Sequence, residues 1–383
     1  MAVDAESHHI AASTDIIDTD IKTFSILPSA FRPYHHIPFV MTSSIDLAPL
    51  TMGAGRLFVT SQFCATVRTP PKALSLAGQT AIVTGANVGL GLTCAGQLLE
   101  HGLSRLIIAV RSIESGKAAA KALGEKHPAA AIEVWALDMM SYRSIQAFAD
   151  RCSTLSRIDV AILNAGIARE SFNLSPEGHE EMVQVNYLST VLLSVLLLPL
   201  LKEKKTAGRP GRLTIVNSGA TFSAKFPEHD KVPLIAALDD ETNFDLTDRY
   251  QTSKLLGQLV IGDIVEYVRK EDVIVNLVDP GLCKGTGLHR HLGGGLRAVF
   301  GVTKAMTGRS LEEGASTYLD AAVVRGDETH GSFLMDWKIH PFATFVYTPE
   351  GKASGKRLWD ETLQELEFAG VHSILRSMKS DSS

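Results

Sequence analysis

The chain has 383 residues, of which 45% are hydrophobic and 21% are charged. This composition is typical of a globular protein with enough chain for one large domain or two small ones. The net charge of −5 gives no electrostatic case for nucleic acid or for an anionic membrane surface, so we expect neither as a partner.

The N-terminal part of the chain shows no clear hydrophobic period. We predict a partly ordered extension over residues 1–52, followed by one domain over 53–383. The first residues are acidic and lack a basic region followed by an apolar one, which argues against secretory or mitochondrial targeting. The longest apolar run, Val191 to Leu201, is too short to cross a bilayer. We therefore predict a cytoplasmic protein without a membrane span.

The four cysteines of the chain are scattered, with no CxxC spacing and no paired histidines. Zinc sites and disulfide frameworks normally show such spacings, so neither is predicted, and a reducing compartment is favoured.

Apolar β-rich runs alternate with helical patterns through the middle of the chain, after a short helix predicted within 53–75. Strands are predicted over 80–84, 106–110, 132–137, 159–163, 212–217 and 273–278. Helices are predicted over 90–101, 112–126, 141–154, 178–204 and 250–269. This alternation predicts an α/β fold in which a parallel sheet carries helices on both faces.

The C-terminal third is predicted to hold a helix over 310–323, a short β-rich run over 344–347, a turn over 348–351 and a last helix over 355–370. The remaining tail is polar. The helix over 187–201 is apolar nearly all round and must be buried. Burial in the core and burial in a homodimer interface both remain open.

A glycine loop follows the first predicted strand and precedes a helix. Its residues Gly85, Gly89 and Gly91 can supply a tight turn and a close approach of backbone to phosphate. The helix adds free N–H groups and the positive end of its dipole. The loop, with Asn87 and Leu90, therefore predicts dinucleotide binding, although the spacing differs from the commoner Gly-x-Gly-x-x-Gly. The alternative is a glycine-rich turn that binds nothing.

Two polar residues follow the next strands. Arg111 stands at the end of the second strand, where an acidic residue would bind the ribose hydroxyls of NAD and a basic one can bind a 2′-phosphate. This favours NADP; the alternative is a surface arginine. Asp138 ends the third strand and could accept a hydrogen bond from the adenine amine. Its alternative role is a helix cap.

Tyr250 and Lys254 are spaced four residues apart, so on a helix they share one face. An unperturbed tyrosine has a pKa of about 10, and acid or base work near neutrality needs roughly 4 kcal/mol of phenolate stabilisation. A neighbouring cation contributes to that. Ser218, at a strand end, can donate to a substrate carbonyl oxygen. The alternatives are a surface pair and a strand-end serine.

These motifs together resemble the short-chain dehydrogenase/reductase family in its classical form, over about residues 76–340. The matching positions are the glycine loop, Asn164 in Asn164-Ala165-Gly166, Asn186, Ser218, Tyr250 with Lys254, and Pro280-Gly281. The resemblance implies a Rossmann-type doubly wound fold with Tyr250 as acid/base. It also implies that Lys254 lowers the pKa of Tyr250, that Ser218 polarises the carbonyl, and that Asn186 holds a water in a proton relay. Asn164, Pro280 and Gly281 would lie beside the cofactor.

The chain departs from the family pattern next to the Pro-Gly turn. The threonine that usually contacts the nicotinamide amide is replaced by Gly285, and Thr286 follows. Within the family, Arg111 and the long gap between Ser218 and Tyr250 resemble the retinol-dehydrogenase-like group. Asn87 and the segment 280–283 resemble fungal reductases of polyketide or related secondary metabolism.

Two variable segments are predicted to bind the substrate, 221–249 and 282–310. Their candidate side chains are Phe222, Phe226, Phe244, Leu288, His289, His291, Leu292 and Phe300, with three consecutive glycines at 293–295. An apolar and aromatic lining suits a bulky, flat ketone or alcohol.

The favoured function is an NADP-dependent interconversion of a ketone and a secondary alcohol on a polyketide-like intermediate. A nucleotide-sensing scaffold, and a redox-neutral dehydratase or epimerase, remain as alternatives on the same fold.

Overall fold

The computed structural model describes residues 43–286 and 307–380. Most of the predicted N-terminal extension lies outside the described residues. So do the candidate substrate residues Leu288, His289, His291, Leu292 and Phe300 and the glycines 293–295.

One eight-stranded sheet forms the centre of the molecule. Its strands are β1 Thr80–Thr84, β2 Arg105–Val110, β3 Ala131–Ala136, β4 Val160–Leu163, β5 Gly211–Val216, β6 Val273–Val278, β7 Ser332–Met335 and β8 Lys338–His340. The spatial order is β3-β2-β1-β4-β5-β6-β7-β8, and all neighbours are parallel except β7 and β8. The six predicted strands are confirmed within a residue or so, whereas the short strands β7 and β8 carry too few residues to show a period.

Helices cover both faces of the sheet, as predicted for a doubly wound fold. They are α1 Ala54–Cys64, α2 Gly89–Glu100, α3 Ile113–Lys126, α4 Tyr142–Ser153, α5 Glu181–Glu203, α6 Leu234–Leu238, α7 Arg249–Val265, α8 Leu311–Leu319, α9 Thr344–Tyr347, α10 Pro349–Glu365 and α11 Val371–Ser380. Alternate residues of β1 enter opposite cores. Ala81 and Val83 pack with α2 and α8, and Ile82 packs with α4, α5 and α7.

The chain changes direction across the sheet between β3 and β4. Val83 of β1 is in register with Ile108 of β2 on one side and with Ile162 of β4 on the other. Open α/β sheets bind ligands at the carboxyl ends of the strands where the order reverses in this way. The topology therefore places the expected site above β1 and β4.

Helix α5 is buried by the chain itself. It packs against α4, α7 and α11, and its turn Gln184–Leu188 is a π-helix. By length and composition this helix could cross a membrane, but 83% of its most apolar window is buried inside the protein. Such burial is typical of a core helix. Of the two positions left open by the sequence, the structure shows the core.

The C-terminal predictions need three corrections. Residues 344–347 form helix α9 instead of a β-rich run, because Val346 is buried and the Phe345 ring packs edge-on against Phe226. Residues 348–351 start helix α10, since Thr348 Oγ1 accepts from the Gly351 amide at 3.0 Å and Pro349 occupies the first helical position. The tail is not merely polar: it forms α11, which buries Leu375.

The described residues before α1 belong to the edge of the sheet. Ser44 is fully buried, and its hydroxyl donates to the His340 carbonyl at 2.6 Å. The Phe333 amide donates to Ser44 Oγ at 2.8 Å. The short helix predicted within 53–75 is confirmed as α1.

Candidate active site

A cleft of about 1030 Å³ opens at the carboxyl ends of the strands. One part of its lining, here the glycine-loop wall, consists of residues 85, 87–91, 109–112, 115 and 137–140. Another part, here the α1 wall, consists of the cleft-facing residues of α1, residues 218–220 and residues 279–283. Tyr250 and Lys254 also line the cleft.

The glycine loop has the geometry that a pyrophosphate needs. A Cβ on Gly91 would lie 2.5 Å from Asn164 Nδ2 and 2.7 Å from the Gly85 carbonyl oxygen, so only glycine fits there. Helix α2 starts after Val88 with no side-chain cap among the described residues. Its first N–H groups and dipole are thus available to an anion in the cleft. Leu90 also lines the cleft.

Asn164 stabilises the strand end from which the glycine loop starts. Its amide nitrogen donates to the Thr84 carbonyl at 2.9 Å, and its Oδ1 accepts from the Tyr318 hydroxyl at 3.2 Å. The Ala165 amide donates to Thr84 Oγ1 at 2.9 Å. Both polar ends of the Asn164 side chain are therefore used inside the protein, and it acts on the cleft by holding β1 against β4. Tyr318, from α8, was not predicted.

A group of polar side chains, here the polar corner, lines the cleft at the end of β2. It consists of Arg111, Ser112 and Ser115. Asn87 Nδ2 donates to Ser115 Oγ at 2.8 Å. Asp138 also lines the cleft, where its Oδ1 accepts from the Met140 amide at 3.0 Å.

The Asp138 carboxylate thus holds a local turn. The cap of α4 is supplied instead by Ser141.

Tyr250 and Ser218 both line the cleft. Burial raises the pKa of Tyr250 to about 12, while the neighbouring Ser218 side chain lowers it and the Asp279 charge adds a smaller upward contribution. Burial also lowers the pKa of Lys254 to about 8.

The lowering of the Tyr250 pKa by Lys254 stays a prediction, because the upward shift of that pKa comes chiefly from burial of the phenol. The Lys254 ammonium donates to the Val216 carbonyl at 2.9 Å, so its charge is directed at the backbone of β5.

Asn186 lies in the π-helical turn of α5 and lines a small cavity together with Lys254. Its side chain pairs with both backbone groups of Ile167 at 2.9 Å and donates to Ser253 Oγ at 3.0 Å. A cavity of about 20 Å³ lies between Asn186, Asn217 and Lys254. That volume suits one water with polar partners.

The Pro280-Gly281 turn closes the α1 wall. Gly281 has a φ of +74°, and a Cβ there would lie 2.7 Å from Arg309 Nη1 and 2.8 Å from Gln62 Oε1. The sequence predicted the turn but not these two partners. No local signal could have shown them, because Gln62 is 220 residues from its partner Leu282.

Asp279 is a further residue that the sequence did not single out. It is 3% exposed, and its Oδ1 accepts from the Gly219 amide at 2.8 Å. Its Oδ2 has no hydrogen-bond partner in the described part of the chain. Burial raises its pKa to about 6. The carboxyl therefore positions the turn that follows Ser218.

The three phenylalanines of segment 221–249 that were expected to line the substrate site lie elsewhere. Phe226 is in the core, Phe222 packs against Phe333, and Phe244 packs against Phe172. From the segment 221–249 the cleft is lined instead by Ser223, Leu246 and Thr247. The prediction failed because aromatic residues in a loop are as well placed to anchor it to the core as to face a ligand. From 282–310 the described lining residues are Leu282, Cys283 and Thr286.

Comparison with known proteins assigns the family. Residues 79–227 match the short chain dehydrogenase model. The chain is 49% identical over 342 residues to the short chain dehydrogenase/reductase mfmJ of Annulohypoxylon moriforme, covering 88% of this chain and 99% of that protein. It is 42% identical over 310 residues to the short chain dehydrogenase virL of Hypocrea virens, covering 81% and 91%. The chain belongs to the short-chain dehydrogenase/reductase family.

The fold comparison agrees. A crystal structure of an uncharacterised protein from Mycobacterium paratuberculosis superposes with a TM-score of 0.56 at 24% identity, covering 79% of this chain and 98% of the other. The protein is thus an oxidoreductase of the nicotinamide-dependent, Rossmann-type class.

Proposed function

We propose that this protein is an NADP-dependent reductase that interconverts a ketone and a secondary alcohol on a bulky, polyketide-like intermediate. The observation that carries the proposal is that Tyr250, Ser218 and Lys254 line the same cleft as the glycine loop. The side chains that carbonyl reduction requires from the protein therefore share one cavity.

The residues divide the work as follows. Nicotinamide, when bound, exchanges a hydride with the substrate carbon. Ser218 donates a hydrogen bond to the carbonyl oxygen, where negative charge develops. Tyr250 donates its proton to that oxygen, so the C=O becomes CH–OH. Burial keeps the Tyr250 pKa at about 12, so the phenol carries at neutral pH the proton that it donates.

The proton lost by Tyr250 can return through Lys254. Its pKa of about 8 allows the ammonium both to hold and to release a proton near neutrality. The small cavity beside Asn186 and Asn217 extends the route by one water. The Asn186 side chain shapes this cavity through its hydrogen bonds to Ile167 and Ser253.

The preference for NADP rests on the polar corner at the end of β2. Arg111, Ser112 and Ser115 offer a cation and two hydroxyls, and residues 109–112 contain no carboxylate that would repel a 2′-phosphate. Ser112 also begins α3, whose N-terminus favours an anion.

The substrate class rests on two observations. The cleft has a volume of about 1030 Å³, and Ala54, Leu57 and Phe58 give it an apolar lining on α1, which suits a flat polycyclic ketone. Asn87 and residues 280–283 resemble fungal reductases of secondary metabolism, and the relatives described above come from fungi. A location in the cytoplasm and a homodimer remain predictions.

The test is NADPH consumption with phenanthrenequinone, fluorenone and cyclohexanone as probes. Tyr250→Phe should reduce turnover by about 10²–10⁴-fold and leave NADPH binding intact. Tyr142→Phe is the matched control, because that tyrosine is buried and lines neither the cleft nor the small cavity.

Undiminished turnover by Tyr250→Phe contradicts the proposal. Product formation without net cofactor consumption indicates a dehydratase or epimerase. NADPH binding by a wild-type protein that turns over none of the probes favours the sensing scaffold.

A further inference from the structure

Helix α1 lies outside the residues that match the family model, yet it forms part of the active-site cleft. Ala54, Leu57, Phe58, Ser61 and Gln62 line the cleft at intervals of three and four residues. That spacing places them on one face of the helix. The opposite face carries Val59 and Phe63, which are 53% and 60% exposed and do not line the cleft.

Gln62 attaches α1 to the turn beside the nicotinamide position. Its Nε2 donates to the carbonyls of Leu282 and Thr307, both at 3.0 Å, and its Oε1 accepts from the Leu282 amide at 3.0 Å. Both amide protons and the carbonyl oxygen of this side chain are thus used in one contact. Such a bidentate pairing fixes the helix in rotation as well as in position.

A second, independent attachment involves a buried ion pair. Arg309 is 5% exposed, pairs with Asp336, and donates to the carbonyls of Pro280 at 3.1 Å and Ser61 at 3.0 Å. Ser61 Oγ donates to the same Asp336 carboxylate at 2.7 Å. Because a buried pair costs several kcal/mol when one partner is lost, this network holds α1 firmly against the Pro280-Gly281 turn.

We propose that α1 is the specificity-determining wall of the substrate site, with Phe58 as the side chain that contacts the apolar part of the ketone. The inference rests on the proposed reductase function. Phe58 is 39% exposed although it faces the cleft, so its ring has surface left to bury against a ligand. Leu57, buried beneath it at 6% exposure, anchors the helix to the core.

The position of α1 favours the substrate over the cofactor. The helix contacts the turn Gly219–Ser223 that follows Ser218, and Gln62 contacts Leu282. Both turns flank the Ser218–Tyr250 pair, where the carbonyl reacts. The adenine and phosphate positions are assigned to the glycine-loop wall, which shares no residue with α1. An aromatic ring on α1 therefore faces the part of the substrate that extends away from the carbonyl.

The kinetic test compares Phe58→Ala with Phe63→Ala on fluorenone, a flat three-ring ketone, and on cyclohexanone. We expect Phe58→Ala to raise the KM for fluorenone roughly 10- to 100-fold, with a much smaller change for cyclohexanone and an unchanged Kd for NADPH. Phe63→Ala, on the outer face of the same helix, should behave as wild type. Equal effects of the two variants would overturn the proposal.

A labelling test does not depend on turnover. In a Cys64→Ser background, which removes the exposed native thiol, Phe58→Cys and Phe63→Cys are labelled with a maleimide. Fluorenone with NADP⁺ should slow labelling at position 58 at least fivefold and leave position 63 unaffected. Protection at neither position refutes the α1 assignment, even if Tyr250→Phe has already supported the reductase. Protection at 58 in a protein without turnover would retain the binding wall and reject the reductase.

Gln62→Met provides the second variant, because it keeps the shape of the side chain but removes its three hydrogen bonds. The fluorenone KM should rise while NADPH affinity and the tyrosine-dependent pH profile stay the same. A fall in NADPH affinity of the same size would show that α1 serves the cofactor instead.

Discussion

The two walls of the cleft are assembled from sequence in opposite ways. On the glycine-loop wall, β1, the loop and the start of α2 are consecutive, and Gly85 and Gly91 are neighbours both in sequence and in space. On the α1 wall, Gln62 contacts Leu282 across 220 residues and Ser61 contacts Asp336 across 275. Phosphate binding needs only one local turn, whereas shaping a substrate pocket requires segments from both ends of the chain.

This difference predicts which positions of the cleft tolerate amino-acid substitution. A helix N-terminus binds a phosphate through its backbone N–H groups, so the side chains there must be small enough to let the phosphate come close. Helix α1 is held by Gln62, by Arg309 and by the buried Leu57, so an exposed cleft-lining position such as Phe58 can change without moving the helix. Substitutions on the first wall should therefore affect cofactor binding, and those on the second should affect substrate choice.

The largest expected effect is on the glycine-loop wall. Gly91→Ala should weaken NADPH binding by about 100-fold and destabilise the fold by about 1–3 kcal/mol, because the added Cβ collides with Asn164 and with the Gly85 carbonyl. Gly96→Ala is the control on the same helix, where the nearest atom would be 3.6 Å away. Titration of NADPH fluorescence and urea unfolding provide the measurements. Similar behaviour of the two variants would show that the loop adapts.

A smaller effect should appear on the α1 wall. Gly281→Ala combines backbone strain with collisions against Arg309 and Gln62, whereas Gly102→Ala has a φ of +81° and open space around its Cβ. Strain alone costs about 1–2 kcal/mol. We expect the unfolding free energy of Gly281→Ala to be lower than that of Gly102→Ala by at least about 1 kcal/mol. Equal losses would mean that the anchors of α1 move aside easily.

The choice between NADPH and NADH should depend on the charge of the side chain at position 111. Arg111→Glu should shift the ratio of NADPH to NADH affinity towards NADH by about 10- to 100-fold, since a carboxylate repels the 2′-phosphate and can accept from a ribose hydroxyl. Lys117→Glu makes the same charge change on the exposed surface of α3 and should alter the ratio little. If both variants shift the affinity ratio equally, the cause is the overall charge of the protein, and Arg111 does not contact the 2′-phosphate.

An effect confined to a narrow pH window concerns Asp279, whose pKa is raised by burial from 3.8 to about 6. Between these two pH values the folded protein binds more protons than the unfolded chain, so its contribution to stability falls as pH rises and is lost above about 6. In the wild type the free energy of unfolding should fall by about 1–3 kcal/mol between these pH values, and Asp279→Asn should abolish that fall. Urea unfolding between pH 4 and 7 measures the free energy. If the variant keeps the same pH dependence, the Asp279 carboxyl is hydrated in the folded protein.

Local signals predicted much of the molecule. Six strands, the glycine loop, the Tyr250–Lys254 helix and the strand-end position of Ser218 could be located because each depends on residues close in sequence. Thr344–Tyr347 shows the limit: its residues favour a strand, but the packing of Phe345 and Val346 makes them a helix. Propensity decides only where tertiary contacts do not.

By itself the sequence determined the fold class and the set of chemical groups at the site, because strand–loop–helix units and the spacing of Tyr250 and Lys254 are local properties. Only the tertiary structure decided the environment of those groups. Burial, which no spacing reveals, sets the pKa values of Tyr250, Lys254 and Asp279. Only the folded chain brings α1 to the Pro280-Gly281 turn, because that contact joins residues too far apart for any sequence period to indicate.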